Sequence, residues 1–431
     1  MENMYSRDRR KTMKVEIIAI GDELTSGRIL NTTSAFAARN LFDAGYEIYA
    51  MHTIGDSPSL IGEALKRAIA RVDAIVVTGG LGSTDDDLTN EAVSRALNRP
   101  TMPNLEILSN IRAHLDEITN APVGELEKLA WLPKGAQALS PESRMAGYQL
   151  IHEDKPIFFL PGVPSQMKVL MVDHVLPTLA TWHKDHHLTT YQKIFRIFNL
   201  PEAEVNRRIA TVDLDTDVHI GYYPVFPEVH LSLTVRDKQT NNARRLFKSS
   251  CKAINTVLGD SIYGHDRDSM ERIVGRLLIK NNLNLAVAES CTGGLISKKL
   301  TDTPGSSAYF LGGIISYANS LKSCYLEVPD SLLENVGAVS REVAETMAVT
   351  VRTGSSADIG LSVTGIAGPD GGTEEKPVGT VYIGIATEEE NWVTKFRFTG
   401  DRRQIRTLTA QSGLDLVRKY LLQQDLEEET A

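Results

Sequence analysis

The chain has 431 residues, 42% of them hydrophobic and 23% charged, with a net charge of −9, a composition that excludes disordered and fibrous classes. At about 150 residues per domain it holds roughly three domains, and with no run of about 18 apolar residues it offers no spanning helix. Its acidity argues against electrostatic, sequence-independent binding to nucleic acid.

The polar opening MENMYSRDRRKT lacks the apolar segment of a signal peptide. Cys251, Cys291 and Cys324 make neither a disulfide framework nor a CxxC metal site. A reducing cytoplasm, without membrane partners, is expected. VEIIAI (15–20) then reads as a buried strand and Thr32 to Asp43 as a helix, followed by strand EIYAMHTI, helix Ser57 to Ala70, strand DAIVVT (73–78) and helix Asp86 to Asn98. Strands separated by helices need crossovers, which predicts a parallel sheet with helices on both faces. KPIFFLPGVP (155–164) extends it, and ligands are expected beyond the strand ends, at Gly21, Thr78 and Leu160.

The charged stretch Thr181 to Thr190 reads as a boundary. KIFRIF, a helix from Glu202 to Ala210, VHIGYY, EVHLSLTV and a helix from Asn241 to Val257 suggest a small α+β domain of about 75 residues. Its shape could be KH-like, but no GxxG clamping loop lies between 190 and 258, so a spacer or dimerisation element is expected rather than an RNA binder. After Gly264 a helix from Asp268 to Asn281 opens a second α/β domain. Strands LAVAE (285–289), GGIISY, DIGLSVTG, VGTVYIGIAT and NWVTKFRF follow, with a closing helix from Asp401 to Leu422.

All ten histidines lie at or before His265, which removes Ser-His-Asp, Cys-His and histidine-zinc chemistry from the last domain unless another domain or subunit lends a residue. AESCTGG (288–294) places Ser290 between a strand and a helix start, where free N–H groups with Gly293 and Gly294 can stabilise an oxyanion or a phosphate; an N-cap serine with packing glycines is the alternative. Cys291 ranks below Ser290, because without a histidine partner its thiol stays mostly protonated. Tyr317 stands at the end of the next strand with Lys322 five residues on, and a lysine near tyrosine and serine can act as base if burial lowers its pKa; a surface lysine is the plainer reading. TGIAGPDGG (364–372) is a loop that can cradle a phosphate or simply turn, and Arg402, Arg403 and Arg406 could supply the counter-charge or form a solvated helix face.

In the first domain TGGLGSTDDDLT (78–89) makes a backbone anion nest, and Asp85, Asp86 and Asp87 could hold a divalent cation or simply favour a helix start. Asp22, Glu23 and Asp56 add carboxylates at other strand ends, a set suited to metal-assisted phosphate chemistry. The segment lacks a Walker ending and is not an NTPase P-loop.

At GDELTSG, TGGLGSTDDDLT, LPGVP, AESCTGG, PGSS, GAVS and TGIAGPDGGTEEKPVGT the chain resembles the CinA family of competence-damage-inducible proteins over nearly its whole length. The resemblance implies a MoaB/MogA-like first domain (1–180), associated with metal-dependent ADP-ribose pyrophosphatase activity, and a KH-like connecting domain (181–264). It implies a last domain (265–431) similar to nicotinamide mononucleotide deamidases, which form nicotinate mononucleotide and ammonia and need no cofactor. On that pattern Ser290, Tyr317 and Lys322 are catalytic. Thr292, Gly293, Gly294, Thr364, Gly365, Arg402 and Arg406 fall at substrate contacts. Gly79, Gly80, Gly82, Ser83 and Thr84 form the N-terminal nucleotide site, with Asp22, Glu23, Asp56, Asp86 and Asp87 as metal ligands.

The first domain departs from the pattern. Asn31, Thr32 and Thr33 stand where the family has Asp-Thr-Asn, Ser83 replaces a proline, Gln166 replaces a glutamate, and Leu139 to Tyr148 lacks a GTAPG-like run. An impaired pyrophosphatase is expected. The alternatives are a non-enzymatic nucleotide-sensing scaffold and a molybdopterin-handling enzyme. The family habit of pairing implies a homodimer.

Overall fold

The computed structural model describes residues 13–115, 126–141, 147–182 and 189–430. The polar opening and the centres of the 139–148 and 181–190 stretches lie outside them. In chain order a six-stranded sheet, a four-stranded sheet and a five-stranded sheet follow one another, the α/β, α+β, α/β succession expected from the alternation of strands and helices.

The first sheet runs β2-β1-β3-β8-β7-β6, with β1 Lys14–Ile20, β2 Glu47–Ile54, β3 Ala74–Thr78, β6 Gln137–Ala138, β7 Tyr148–His152 and β8 Lys155–Leu160. A separate pair joins β4 Thr101–Pro103 to β5 Trp131–Pro133. The centre is parallel, with Ile18 beside both His52 and Val77, and its strands are almost continuously apolar because both faces are covered. Ile18, Ile20, Ile75 and Val77 pack with the helix Pro58–Arg71 in one core. Val15, Ile17 and Val76 pack with the helix Thr32–Asp43 in another.

Of the parallel or mixed sheet expected, the mixed form is found, with the departure from parallel at one edge. β7 and β6 are antiparallel, because Glu153 and Asp154, both at positive φ (49° and 57°), turn the chain back in two residues, the geometry of a tight hairpin. The helix expected from Asp86 starts instead at Thr89. Asp87 accepts the N–H and hydroxyl of Thr84 in the preceding turn.

The middle sheet has the order β10-β11-β9-β12, from β9 Thr189–Ile197, β10 Val218–Val225, β11 Glu228–Asp237 and β12 Ile262–His265. Chain contacts divide the molecule into two compact units, Met1–Gln192 with Val235–Leu246, and Lys193–Thr234 with Phe247–Ala431. Within the second, Phe198 and Tyr263 of the middle segment join the core of the last domain, and Gln411 donates to Glu228 at 2.9 Å.

The last sheet is β14-β13-β15-β16-β17, with β13 Leu285–Glu289, β14 Phe310–Ile315, β15 Ile359–Gly365, β16 Thr380–Ala386 and β17 Asn391–Arg397. β13 is parallel to both neighbours, while β16 and β17 continue antiparallel. The long helix Arg402–Thr430 lays Ile405, Leu414, Val417 and Leu421 into the core. No helix among the described residues is long and apolar enough to cross a membrane.

Candidate active site

Parallel β13, β14 and β15 release the chain at one edge of the last sheet, and Ser290, Ser316 and Thr364 stand at or just beyond their carboxyl ends. The Ser290 N–H is fixed on the Val363 carbonyl at 3.0 Å. From the helix Asn319–Leu326, Lys322 reaches back under the strand ends, its residue only 1% exposed. Its Nζ lies 3.0 Å from Ser290 Oγ, 2.7 Å from the Ser316 carbonyl and 3.4 Å from the Tyr317 carbonyl. Burial holds the amine below the usual lysine range by disfavouring its charged form.

Burial pushes the neighbouring Cys291 thiol up to about 12, so at neutral pH it carries no thiolate. A pocket of about 230 Å³ opens on the pair. Tyr317, Asn319, Thr364, Gly365 and Arg402 help to line it.

Several expected contacts fall elsewhere. The helix-start N–H groups proposed for an anion are taken. Those of Gly294, Ile296 and Ser297, with the Ser297 hydroxyl, all donate to the fully buried Glu289 carboxylate at 2.7–3.1 Å. Glu289 thus acts as an internal anion for the start of the helix Leu295–Thr301. Among the described residues, no carbonyl takes the N–H groups of Cys291 and Thr292.

Gly293 and Gly294 are at positive φ (59° and 90°), and a Cβ on Gly294 would come within 2.9 Å of Ile315 Cδ1. They shape the loop. Thr292 is fully buried, and its hydroxyl finds no partner among the described residues. Its carbonyl receives Arg406 Nη2 at 2.5 Å, which makes Arg406 a brace for the loop. Arg402, by contrast, lines the pocket and donates to the Gly368 carbonyl at 2.7 Å and the Tyr317 hydroxyl at 2.6 Å. The phenol of Tyr317 therefore meets Arg402, and only its backbone carbonyl meets Lys322. The Thr364 hydroxyl donates to the Ala338 carbonyl at 2.7 Å.

In the first unit a cleft of about 470 Å³ lies at the strand ends, lined by Gly79, Gly80, Gly82 and Ser83 of the nest together with Glu23, Asp56, Asp86, Asp87 and Gln166. Thr84 turns its hydroxyl to Asp87. Its carbonyl receives Lys128 Nζ at 2.5 Å, a contact between segments far apart in sequence that the motif gave no sign of. Gly79 sits at φ +102°, and a Cβ there would lie 2.2 Å from the Ile20 carbonyl. Burial, reinforced by Asp22, Glu23 and Asp86, raises the Asp56 carboxyl even though it accepts the Asp22 N–H.

The expected metal ligands do not assemble. Asp22 and Asp56 each accept the other's N–H, Asp87 is engaged by Thr84, and no group of three His, Cys, Asp or Glu among the described residues could hold a metal ion. Among the described residues, the expected ligands Asp22, Glu23, Asp56, Asp86 and Asp87 are therefore not gathered as a ligand set in this structure. Asn31, Thr33 and Thr78, at the same strand ends, bond to one another. Asn31 caps the helix Thr32–Asp43 through the Ser34 N–H.

Three family models match in succession: the "Probable molybdopterin binding domain" over residues 16–181, the "Damage-inducible protein CinA KH domain" over 192–264, and the "CinA C-terminal domain" over 267–421. A CinA-like protein of Desulfotalea psychrophila is 68% identical over 411 residues, covering 95% of this chain and 100% of its own. A CinA-like protein of Geotalea uraniireducens is 36% identical over 412 residues, 95% and 98% of the two chains. Among solved structures, the competence/damage inducible protein CihA from Agrobacterium tumefaciens is 36% identical, covering 35% of this chain and 94% of its own, with a TM-score of 0.34.

Proposed function

The chain belongs to the CinA family, and from that premise we propose that its last domain is an amidohydrolase that converts nicotinamide mononucleotide to nicotinate mononucleotide and ammonia. The observation that carries this reading is the buried lysine held 3.0 Å from Ser290 Oγ. A neutral Lys322 keeps two N–H donors and one lone pair. With the donors on the Ser316 and Tyr317 carbonyls, the lone pair is left for the Ser290 hydroxyl proton. A lysine tuned by burial in this way is suited to general-base work.

In the proposed reaction Ser290 Oγ bonds to the carboxamide carbon as its proton passes to Lys322, and the carbonyl electron pair moves to oxygen. The unspent N–H groups of Cys291 and Thr292 take up that charge. Collapse breaks the C–N bond, and nitrogen leaves as ammonia with the proton from Lys322. Water, deprotonated by the same lysine, then splits the ester to release the carboxylate and restore Ser290. The first domain, whose acids do not form a ligand set, is proposed as an impaired relative of ADP-ribose pyrophosphatases.

The full-length protein given nicotinamide mononucleotide is expected to release ammonia, and Ser290→Ala to lower kcat by about 1,000-fold or more, while Cys291→Ala retains the rate. Full activity in Ser290→Ala would overturn the assignment.

A further inference from the structure

We propose that two copies of this chain pair through β14, and that across this seam the turn Pro304 to Ser307 of one copy forms part of the mouth of the other copy's Ser290 pocket. The seam rests on the sheet alone, whereas its effect on turnover rests on the amidase reading.

β14 is an edge of the last sheet. The Ser316 N–H donates inward to the Glu289 carbonyl at 2.8 Å, so by the alternation of a strand the main-chain groups of Gly313 and Ile315 turn outward, away from β13. Among the described residues no backbone group meets them. Open edges are normally guarded by charge, proline or a covering segment. The opposite edge obeys that rule, with Lys395 and Arg397 exposed on β17. β14 does not, for no charged residue occurs from Thr303 to Leu321. Leu311, Ile315 and Tyr317 are 50–57% exposed, and the exposed Leu321 and Tyr325 follow on the helix Asn319–Leu326. An uncharged apolar edge with unmatched main-chain groups is a template for another strand.

The occupant is a second copy of β14. Two identical edges meet antiparallel about a two-fold axis, each supplying the donors and acceptors that the other lacks, and the assembly closes with the charged β17 strands at its two far ends. Antiparallel pairing also reverses the ends of the strand. Within one chain the turn Pro304 to Ser307 enters β14 at the end of the sheet opposite the pocket, about 20 Å of strand away. Across the axis the partner's turn comes beside Tyr317 and Asn319, which line the pocket. The PGSS motif, remote from the site of its own chain, thus gains a place at the site of its neighbour.

Nitroxide labels on the full-length protein, with Cys251 and Cys324 replaced by serine, read the seam without any turnover. Labels at Leu311→Cys are expected within about 25 Å of each other between copies, and labels at Lys395→Cys, on the far edges, at about 40 Å or more. Leu311→Lys, which sets like charges across the seam, is expected to raise the dimer dissociation constant at least about tenfold. Monomeric wild-type protein, labels at Leu311 no closer than those at Lys395, or an unchanged dissociation constant would each overturn the proposal.

The site is tested by complementation with nicotinamide mononucleotide as substrate. Ser290→Ala and Ser307→Trp are each expected to be nearly inactive alone. Co-expressed, they are expected to recover up to about a quarter of the wild-type rate, because about half of the dimers pair an intact Ser290 with the partner's intact turn. No recovery, or full activity in Ser307→Trp alone, would overturn the placement of the turn. Absence of ammonia from the wild type would instead defeat the amidase reading, and the label distances would then decide the seam alone.

Discussion

Lys322 shows how burial changes the chemistry open to an ordinary residue type. Taken out of water beneath three strand ends, its ammonium loses hydration that one hydroxyl and two carbonyls only partly replace, so its pKa falls from 10.5. The amine acts as base only when neutral, so kcat/KM is expected to rise with pH through the lowered Lys322 value, on a limb lying below the ordinary lysine range. Stability follows the same sign. Between the lowered folded pKa and the unfolded one, the unfolded chain binds more protons, so folding gains as pH rises through that window. Below the folded value the full penalty is present. Lys322→Met is expected to abolish turnover and to remove this pH-dependent part of the stability, so that the wild type gains on the variant from neutral pH toward pH 10. A constant difference in denaturant midpoints over that range would contradict the burial argument. Cys291, its thiol pushed up to about 12, is expected to resist alkylation at pH 7.5 in the folded protein.

Among the elements, the short helix Leu295–Thr301 depends on a side chain outside it. The buried Glu289 carboxylate satisfies three backbone N–H groups and one hydroxyl, and each buried donor left unmet costs about 1–3 kcal/mol. Glu289→Ala should therefore destabilise the protein by about 3 kcal/mol or more, read as a drop in the midpoint of denaturant unfolding, and should impair Ser290 beside it. A loss below 1 kcal/mol would mean that water replaces the carboxylate. Glu289 was visible in AESCTGG, but its role was not, because nothing local says whether an acid at a strand end faces solvent or folds back on the next helix. The strands themselves were legible where burial on both faces imposes a continuous apolar run, as in VEIIAI and LAVAE. The β7–β8 hairpin was not, because it turns on Glu153-Asp154, with no glycine after the acid to complete the usual two-residue turn signal. Ser290, Tyr317 and Lys322 could be named from the family resemblance where spacing left plainer readings open, whereas Arg402 on Tyr317 joins positions 85 apart, a pairing that only the folded chain defines.

For the whole molecule, the two α/β sheets each deliver polar residues beyond their strand ends, yet the two sites differ in kind. The last domain sets Lys322 against Ser290 in a pocket whose lining, among the described residues, contains no carboxylate. The cleft of the first unit is lined by Glu23, Asp56, Asp86 and Asp87, with Asp22 and Asp56 turned to each other's backbone and Asp87 to Thr84. An acidic lining without an assembled ligand set does not organise the hydrolysis of a diphosphate, which usually requires a correctly oriented metal. What persists is the nest, where Gly79 is fixed by its close approach to Ile20. Among the described residues, the N–H groups of Gly80 to Ser83 are taken by no carbonyl, so weak anion capture is expected. The full-length protein is therefore expected to hydrolyse ADP-ribose at least about 100-fold more slowly than it releases ammonia from nicotinamide mononucleotide, even with magnesium or manganese supplied, when both products are followed in one preparation. Metal-dependent cleavage of ADP-ribose at the amidase rate would show that Asn31, Thr33 and Gln166 lie outside the working shell and that the acids rearrange around an ion.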